Sequence, residues 1–464
     1  MRLSKSFALI MSITLVIFFL CSCTPADFGL SEGQVENIIS QIEEEEKHSS
    51  ETVSIPEKIA DSSSALSEKT STVPETSNEH SVSDNRSSDE SKSTNNNNAL
   101  IKSDIFNRET VSEEPEQVET GFTNIHRITN LDELKQFANA VACGHSYAGE
   151  QVALEADIDL AGIEWNPIGI RGKPFKGEFL GNGHTISNLT ITSLTDKMTD
   201  SRGYEVYVGF FGYTEDATIK RIVLENANIS IPNRNNAESV YIGAVVGCMF
   251  GQNKGIELSE CKASGNISVS LKDTPFVMVG GIVGGFDANY KDTYYRMKLL
   301  HSSVNIITEG EMVTCGGITG ILNSRNSKPI NSYITDIVYL GSINETKVDW
   351  SYTGGFCGLY NSGYRCDIRN VFINCKIERT EFGPYTFIGV FSGDQCVDTG
   401  DLGLENVYGM ITCNGKNMKM SMIGRENGKV YFKNCAETDK LPQDNSFDAE
   451  KWDFEDPAFP KPNF

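Results

Sequence analysis

The feature that most constrains the fold is a glycine that recurs at nearly regular intervals, each time with an apolar residue two positions before it. The copies are Phe210-Phe211-Gly212, Val245-Val246-Gly247, Ile282-Val283-Gly284, Ile318-Thr319-Gly320, Phe356-Cys357-Gly358, Phe391-Ser392-Gly393 and Met422-Ile423-Gly424. The glycine spacings are 35, 37, 36, 38, 35 and 31 residues. Counting back 35 residues from Gly212 reaches Gly177, with Phe175 two positions before it. The sequence therefore predicts eight repeats.

Each repeat also has a position that is always medium-sized and apolar. In successive copies it is Val223, Cys261, Leu300, Ile337, Val371 and Val407. One residue class at one site per repeat is typical of stacked parallel strands, because the same position points inward in every coil. Glycines, turn clusters and β-branched residues favour strands over helices. The sequence therefore predicts an all-β fold, a right-handed parallel β-helix of about eight repeats of about 35 residues.

Both ends of this predicted solenoid carry segments suited to capping it. Asn130 and Glu133 have the spacing of a helix N-cap and capping box. The apolar residues that follow share one helical face: Leu131, Leu134, Phe137, Ala138 and Val141. This pattern predicts a helix that plugs the first coil and shields its open edge. At the other end, a segment rich in aromatic residues and proline is expected to close the last coil: Phe447, Trp452, Phe454, Pro457, Phe459, Pro460 and Pro462.

Two of the repeats resemble the GLUG motif of large bacterial surface proteins, which include the N-terminal part of some IgA-cleaving peptidases. The matching segments are Val208-Gly209-Phe210-Phe211-Gly212-Tyr213 and Val279-Gly280-Gly281-Ile282-Val283-Gly284. The stretch from Asn130 to Ile186 is similar to the start of that family's β-helical region. The resemblance covers about residues 121–464 and implies a surface β-helix. It transfers no catalytic residue, because the motif contains none.

The first residues of the chain have the pattern of a lipoprotein export signal. Arg2 and Lys5 precede an apolar run from Phe7 to Leu20, which is too short to span a bilayer stably. The run ends in Leu20, Cys21, Ser22 and Cys23, which resembles the bacterial lipobox. We therefore expect residues 1–22 to be a signal peptide and Cys23 to be lipidated, which makes the membrane a partner through its acyl chains. An ordinary secretory signal cut nearby is the alternative.

The next segment, residues 23–119, has the composition of a disordered tether rich in serine, glutamate and asparagine. No aromatic residue occurs from Gly29 to Ile105, and Ser31 to Leu100 contains 17 serines. Such a segment cannot bury enough apolar surface to fold. A coil of this length has a root-mean-square span of about 50 to 60 Å. Residues 120–464 are then the folded domain.

Charge and spacing exclude several classes of function. The net charge is −23, and residues 24–120 contain 22 acidic and 7 basic side chains. No basic stripe is present, so nucleic acid is not an expected partner. The chain has no C-x-x-C pair and no H-E-x-x-H, and we predict no metal, no cofactor and no catalytic residues. Cys261 occupies a position that is Val, Leu or Ile in other repeats, and Cys357 occupies the position of Val246, Val283 and Thr319, which predicts small core residues. Disulfides between neighbouring coils are the alternative.

A carbohydrate-active enzyme is the alternative on this scaffold, since polysaccharide lyases and hydrolases also use parallel β-helices. Two acidic pairs are candidates for it, Asp157 with Asp159 and Asp398 with Asp401. His184 follows a turn and is expected to support it by hydrogen bonding. Neither acidic pair has a distinctive spacing.

Aromatic residues form a further column six positions before the repeat glycine. The column contains Tyr241, Met278, Thr314, Tyr352, Phe387 and Met418, with Tyr207 one position closer in its own copy. Stacked like residues stabilise a β-helix, which is the preferred interpretation, but an outward stripe could also stack on sugar rings or contact a protein. The candidate ligand-binding residues are Trp350, Tyr352, Tyr360, Tyr364 and Tyr385.

These patterns together predict a lipid-anchored bacterial surface protein that lies outside the cytoplasm. Its tether carries a β-helix for adhesion or for binding an extracellular glycan or surface protein. A binding role is favoured over the carbohydrate-active enzyme, because no catalytic constellation is recognisable.

Overall fold

The computed structural model describes residues 124–463, apart from 233–236, 272–273, 289–292, 325–331, 364–365, 381–384, 396–400, 418–420, 444–445 and 448. The expected signal peptide, tether and lipidation site Cys23 lie outside the described residues. None of the described helices is long and apolar enough to cross a membrane.

The described residues form one α-helix, one short 3₁₀-helix at Asp196–Met198 and thirty strands. The first elements are β1 (Ile125–Ile128), α1 (Leu131–Ala142), β2 (Gln151–Leu154), β3 (Ile158–Asp159), β4 (Glu178–Leu180), β5 (Thr185–Ser187), β6 (Thr190–Ile191), β7 (Glu205–Val208), β8 (Phe211–Glu215), β9 (Thr218–Lys220) and β10 (Val223–Ile231). The next are β11 (Ser239–Gly243), β12 (Val246–Phe250), β13 (Gly255–Leu271), β14 (Phe276–Gly280), β15 (Val283–Asp287), β16 (Tyr294–Gly316), β17 (Thr319–Ser324), β18 (Tyr333–Tyr339), β19 (Ser342–Gly354) and β20 (Cys357–Ser362). The last are β21 (Cys366–Arg379), β22 (Tyr385–Gly389), β23 (Ser392–Gln395), β24 (Leu402–Cys413), β25 (Lys416–Asn417), β26 (Ile423–Arg425), β27 (Val430–Lys433), β28 (Ala436–Glu437), β29 (Trp452–Asp453) and β30 (Lys461–Pro462).

The strands stack in parallel into a β-solenoid, as the repeat predicted. One face is a seven-stranded sheet in the order β8, β12, β15, β17, β20, β23 and β26. Twenty-one further strands join into a second sheet, in which β13 and β16 are long enough to continue around corners of the coil. Seven stacked strands correspond to about six full turns.

The assignment of Gly177 as the glycine of an eighth repeat is wrong. Glu178 pairs with Thr218, so Gly177 lies opposite Ala217 rather than opposite Gly212. Phe175 resembles the repeat phenylalanines for a different reason. Its ring is fully buried and contacts the rings of Phe137 and Phe211, where the capping helix meets the first coils.

The inward-facing apolar column is confirmed except for its first member. The fully buried residues that pair in register are Cys261, Leu300, Ile337, Val371 and Val407. Val223 instead pairs with Lys262, and the buried Ile222 precedes it. Strand β10 has a bulge between Leu224 and Ala227. Because a bulge adds one residue to one strand, counting along the sequence moved the assignment by one position.

The repeat glycine is required by close contact between backbones. A Cβ atom on Gly247 would lie 2.6 Å from the carbonyl oxygen of Gly212 and 2.7 Å from the backbone nitrogen of Val208. On Gly284 it would lie 2.4 Å from the backbone nitrogen of Ile242. Any side chain at these positions would push the two sheets apart, so only glycine fits where they meet.

The predicted capping helix is present as α1. The Asn130 side chain accepts a hydrogen bond from the Glu133 backbone N–H, and the Glu133 carboxylate accepts from the Thr129 backbone N–H. Leu134, Phe137 and Val141 are buried. The Phe137 ring lies against Phe175, Phe179 and Phe211, and the helix thereby covers the apolar end of the first coil.

The C-terminal aromatic segment packs along the side of the solenoid, so the expectation that it closes the last coil is wrong. Phe447 and Trp452 are buried in a cluster separate from the main core. Outward-facing residues of successive coils complete this cluster: Leu299, Val338, Phe372 and Tyr408. The Asn374 side chain also donates to the carbonyl of Ala458. The segment takes this course because an apolar outward column needs a cover.

All nine cysteines in the described part of the chain are free thiols, and seven of them are buried. Cys261 and Cys357 are fully buried among apolar side chains, as predicted. Burial raises the pKa of both thiols to about 12, which leaves them protonated and unreactive.

Candidate ligand-binding surface

The aromatic column predicted from the sequence exists in register. Its pairings run through Tyr207, Tyr241, Met278, Thr314, Tyr352 and Phe387. The rings of Tyr207 and Tyr241 stack at 5.6 Å between centroids, and those of Tyr352 and Phe387 at 6.0 Å. Met418 lies outside the described residues. We refer to these six paired residues as the aromatic ladder.

The N-terminal half of the aromatic ladder is closed. Tyr207, Tyr241 and Met278 form a buried cluster with side chains of the seven-stranded sheet, among them Tyr213 and Phe250. The Tyr207 hydroxyl donates to Glu205, whose carboxylate also pairs with Arg171 at 2.5 Å. Burial raises the pKa of Tyr207 and Tyr241 well above the ordinary value, so both phenols stay neutral. This half stabilises the solenoid, which is the role preferred for the column.

Beside the C-terminal half of the aromatic ladder, two further aromatic residues form an open pair. Trp350 and Tyr385 are paired across β19 and β22, and their rings stack with centroids 4.3 Å apart. Tyr385 is 43% exposed and Trp350 is half-buried. Tyr352, two residues from Trp350, is 8% exposed. We refer to Trp350 and Tyr385 as the open pair.

Two of the other candidate residues do not join this surface in the described structure. Tyr360 is fully buried in the main core, so its assignment as a ligand-binding residue is wrong. It belongs to β20 of the seven-stranded sheet, where its ring points into the coil. Tyr364 lies outside the described residues.

An arginine that the sequence reasoning missed lies beside the aromatic ladder. The Arg425 guanidinium lies 5.2 Å from the ring centroid of Tyr352 and 4.6 Å from that of Phe387. Its Nε and Nη2 donate to the two carboxylate oxygens of Asp394 at 2.7 and 2.6 Å. Nη2 also donates to the Tyr352 hydroxyl at 3.2 Å. A planar cation is thereby fixed against two rings, with 35% of its side chain exposed.

Burial has the largest effect on the pKa of Asp394, whereas hydrogen bonding has the largest effect on that of Arg425. The Asp394 side chain is 2% exposed. Burial raises the pKa of its carboxyl, and the hydrogen bonds from Arg425 oppose that rise. Hydrogen bonding to Asp394 raises the pKa of Arg425 further above its ordinary value. The sequence carried a signal for this pair, because Asp394 and Arg425 directly follow the repeat glycines Gly393 and Gly424.

The first acidic pair considered for an enzyme, Asp157 and Asp159, accepts hydrogen bonds that hold neighbouring segments of the first coils in place. Asp157 accepts hydrogen bonds from the Thr185 backbone N–H and from the His184 ring, the latter at 3.2 Å. Asp159 accepts from the Asn188 side chain and the Ala161 backbone N–H. These bonds, led by those from Thr185 and Asn188, lower the pKa of the two carboxyls. A general acid needs the opposite shift.

The second acidic pair is described only in part. Asp398 lies outside the described residues. The Asp401 carboxylate accepts a hydrogen bond from the Tyr431 hydroxyl at 3.3 Å.

Comparison with known proteins supports the fold. No family model matches the chain, and no curated protein matches it significantly. The structure is similar to that of a Bacteroides ovatus protein described as a putative immunoglobulin A1 protease, with a TM-score of 0.51 and 16% sequence identity. The match covers 73% of this chain and 91% of that protein. At this identity the likeness concerns the fold alone.

Proposed function

We propose that the chain is a lipid-anchored bacterial surface protein whose β-solenoid binds an extracellular glycan through the open pair. The observation that carries this proposal is the exposed stack of Trp350 and Tyr385 on adjacent coils. Flat aromatic faces suit the apolar faces of sugar rings, while the indole N–H and the phenol supply hydrogen bonds. Membrane attachment through Cys23 and the membership of a GLUG-type repeat family are part of the same proposal.

The surroundings of the open pair add polar chemistry to the aromatic surface. Arg425 is held by Asp394 beside Tyr352, and 35% of its side chain is exposed. A fixed guanidinium binds carboxylate or hydroxyl oxygens with little loss of side-chain entropy, because Asp394 already orders it. An acidic glycan would use both features at once.

The neighbour's description as a protease supplies no activity to this chain, because 16% identity supports only the shared architecture. The enzyme alternative can be tested together with binding. Release of new reducing ends from a bound polysaccharide would favour a lyase or hydrolase over an adhesin.

Glycan binding can be tested by array screening of the mature chain carrying Cys23→Ser, followed by calorimetry on the best ligand. Trp350→Ala and Tyr385→Ala should each weaken binding at least about fivefold, if a sugar face stacks on an aromatic ring as well as a nucleic-acid base does, for which stacking is worth about 1 to 3 kcal/mol. Phe432→Ala is the matched control, because Phe432 is 41% exposed on β27 and outside the open pair. Equal losses in all three variants, or binding only to proteins, would contradict the proposal.

Membrane anchoring requires a separate experiment. Cys23→Ser should release the chain from membranes, because the acyl chains supply the anchoring energy. Metabolic labelling with a fatty acid should be lost in the same variant. Persistent labelling would show that another residue carries the lipid.

A further inference from the structure

Three side chains of types that can bind metal ions meet at the start of the solenoid, although they do not form a short sequence motif. They are His126, His145 and Glu150, and one ligand atom from each lies within 4.8 Å of the other two. His126 Nε2 lies 2.5 Å from Glu150 Oε2, and His145 Nε2 lies 3.0 Å from Glu150 Oε1. Both imidazoles thus direct the same nitrogen at one carboxylate.

The backbone around these side chains is fixed by the first coil. His126 lies in β1, which pairs in parallel with β2, and Glu150 immediately precedes β2. The Glu150 backbone N–H donates to the Tyr147 carbonyl, and the Glu150 carbonyl accepts from Glu178 of the next coil. The His145 N–H donates to the Ala140 carbonyl at the end of α1. The three residues are therefore set by strand pairing and by the helix terminus.

Ring packing restricts the two imidazoles further. The Tyr147 ring meets His126 edge-on at 4.9 Å and His145 edge-on at 4.2 Å between centroids. Tyr147 is itself buried against Phe137, at 5.1 Å. The histidine side chains are 42% and 51% exposed and that of Glu150 is 15% exposed, so the ligand atoms are ordered yet reachable from solvent.

We propose that His126, His145 and Glu150 form a binding site for a divalent transition-metal ion of the zinc type. Two imidazole nitrogens and one carboxylate oxygen suit Zn²⁺, which takes such ligands at about 2.0 to 2.2 Å. Ligand atoms around a tetrahedral ion lie about 3.4 Å apart, so small rotations of the exposed imidazoles would admit the ion. Three protein ligands leave a coordination position for water or a ligand.

The alternative is a hydrogen-bonded His–Glu–His cluster that binds no ion. The metal site and the ion-free cluster differ in whether an added metal ion stabilises the first coil. An ion held by β1 and the loop after α1 would join the two segments that begin the solenoid. It would stabilise the native chain by mass action, because the unfolded chain does not hold the three ligands together.

The site can be tested by calorimetric titration of Zn²⁺ into the metal-free mature chain carrying Cys23→Ser, under reducing conditions. We expect one equivalent to bind, the temperature of unfolding to rise, and Co²⁺ to give the visible absorption of a low-symmetry site. His126→Gln, His145→Gln and Glu150→Gln should each weaken binding at least about tenfold, since even residues that only orient ligands have effects of that size.

Two controls separate this site from adventitious capture. His184→Gln removes a surface histidine that also pairs with a carboxylate, Asp157 at 3.2 Å, but without a second histidine. Cys143→Ser removes an exposed thiol two residues before His145. Both should leave zinc affinity unchanged. The absence of stoichiometric binding, or a loss caused by the controls but not by the three ligand variants, would overturn the proposal.

Discussion

Two outward-facing apolar surfaces of the solenoid differ in what covers them. On one side, Val338, Phe372 and Tyr408 lie under the C-terminal segment, and Trp452 is 1% exposed there. At the second surface, the two rings of the open pair stack on each other, and Tyr385 is 43% exposed. Among the described residues, no separate buried cluster includes Trp350 or Tyr385.

The difference shows how a solenoid uses its outside. An apolar residue that points outward at the same position in every coil forms a stripe, which must be covered to avoid association. Here the chain supplies its own cover for one stripe. The surface of the open pair has no such cover among the described residues, which leaves it available for a ligand. We therefore expect the covered surface and the open pair to respond differently to the same substitution.

The largest expected effect is on the covered side. Trp452→Ala should lower the free energy of unfolding by about 3 to 5 kcal/mol, because it removes a large, fully buried side chain. The same change at Trp350 should cost below about 1 kcal/mol. Chemical denaturation of both variants measures the contrast. Similar losses would mean that the open pair is structural after all.

A second effect concerns acid stability of the covered side. Burial and the charge of Lys262 lower the pKa of His301 from 6.5 to about 4, and its ring lies 6.3 Å from that of Trp452. Between these two pH values the unfolded chain binds the proton and the native chain does not, so stability falls as pH falls. Across this whole pH range, His301 should lower the free energy of unfolding by about 3 kcal/mol.

His301→Leu should remove that part of the pH dependence, since Val338 and Phe372 occupy equivalent positions in the next coils. Unfolding free energies of both proteins, measured from pH 7 to pH 4, provide the check. An unchanged slope in the variant would show that His301 is not buried beneath the C-terminal segment.

A smaller effect is expected beside the aromatic ladder. Arg425→Met leaves the buried Asp394 without its charged donor and should cost about 2 kcal/mol near neutral pH. The loss should shrink as pH falls toward the raised pKa of Asp394, because protonation removes the unpaired charge. Denaturation at pH 7 and pH 4.5 distinguishes this result. A loss independent of pH would point to packing of Arg425 rather than its charge.

The smallest effect on stability belongs to the open pair itself. Tyr385→Ala should change the free energy of unfolding by less than about 0.5 kcal/mol, since Tyr385 is a surface residue that is 43% exposed. Its consequence should appear in ligand affinity. A cooperative unfolding transition at unchanged denaturant concentration would establish this. A marked destabilisation would show that Tyr385 has a structural role like that of the buried residues of the aromatic ladder.

The sequence was sufficient where one residue class recurs at one site per coil. The aromatic ladder from Tyr207 to Phe387 and the inward column from Cys261 to Val407 follow from periodicity alone, because stacking repeats the environment of each position. Val223 was assigned to the wrong position because β10 contains a bulge, and the composition of the strand does not show where a bulge lies. Gly177 was misplaced because a buried phenylalanine near a glycine also arises beneath the capping helix.

Sites assembled across elements could not be predicted in this way. The contact of Asp394 with Arg425 is an exception, because each directly follows a repeat glycine and the two pair in register on adjacent coils. Parallel pairing of β1 with β2 brings His126 beside Glu150, and the end of α1 places His145 there, which no short motif encodes. The path of the C-terminal segment depends on an outward column whose exposure is known only once the register is known.

The solvent accessibility of Trp350 and Trp452 tests most directly whether the open pair is exposed and the C-terminal segment is covered. Trp165 is 3% exposed, and replacing it and one other tryptophan by phenylalanine leaves a single reporter. Acrylamide should quench the Trp350 reporter several times more efficiently than the Trp452 reporter in the native chain, and equally in denaturant. Equal protection of both reporters in the native chain would contradict an open aromatic surface and, with it, the proposed ligand-binding role.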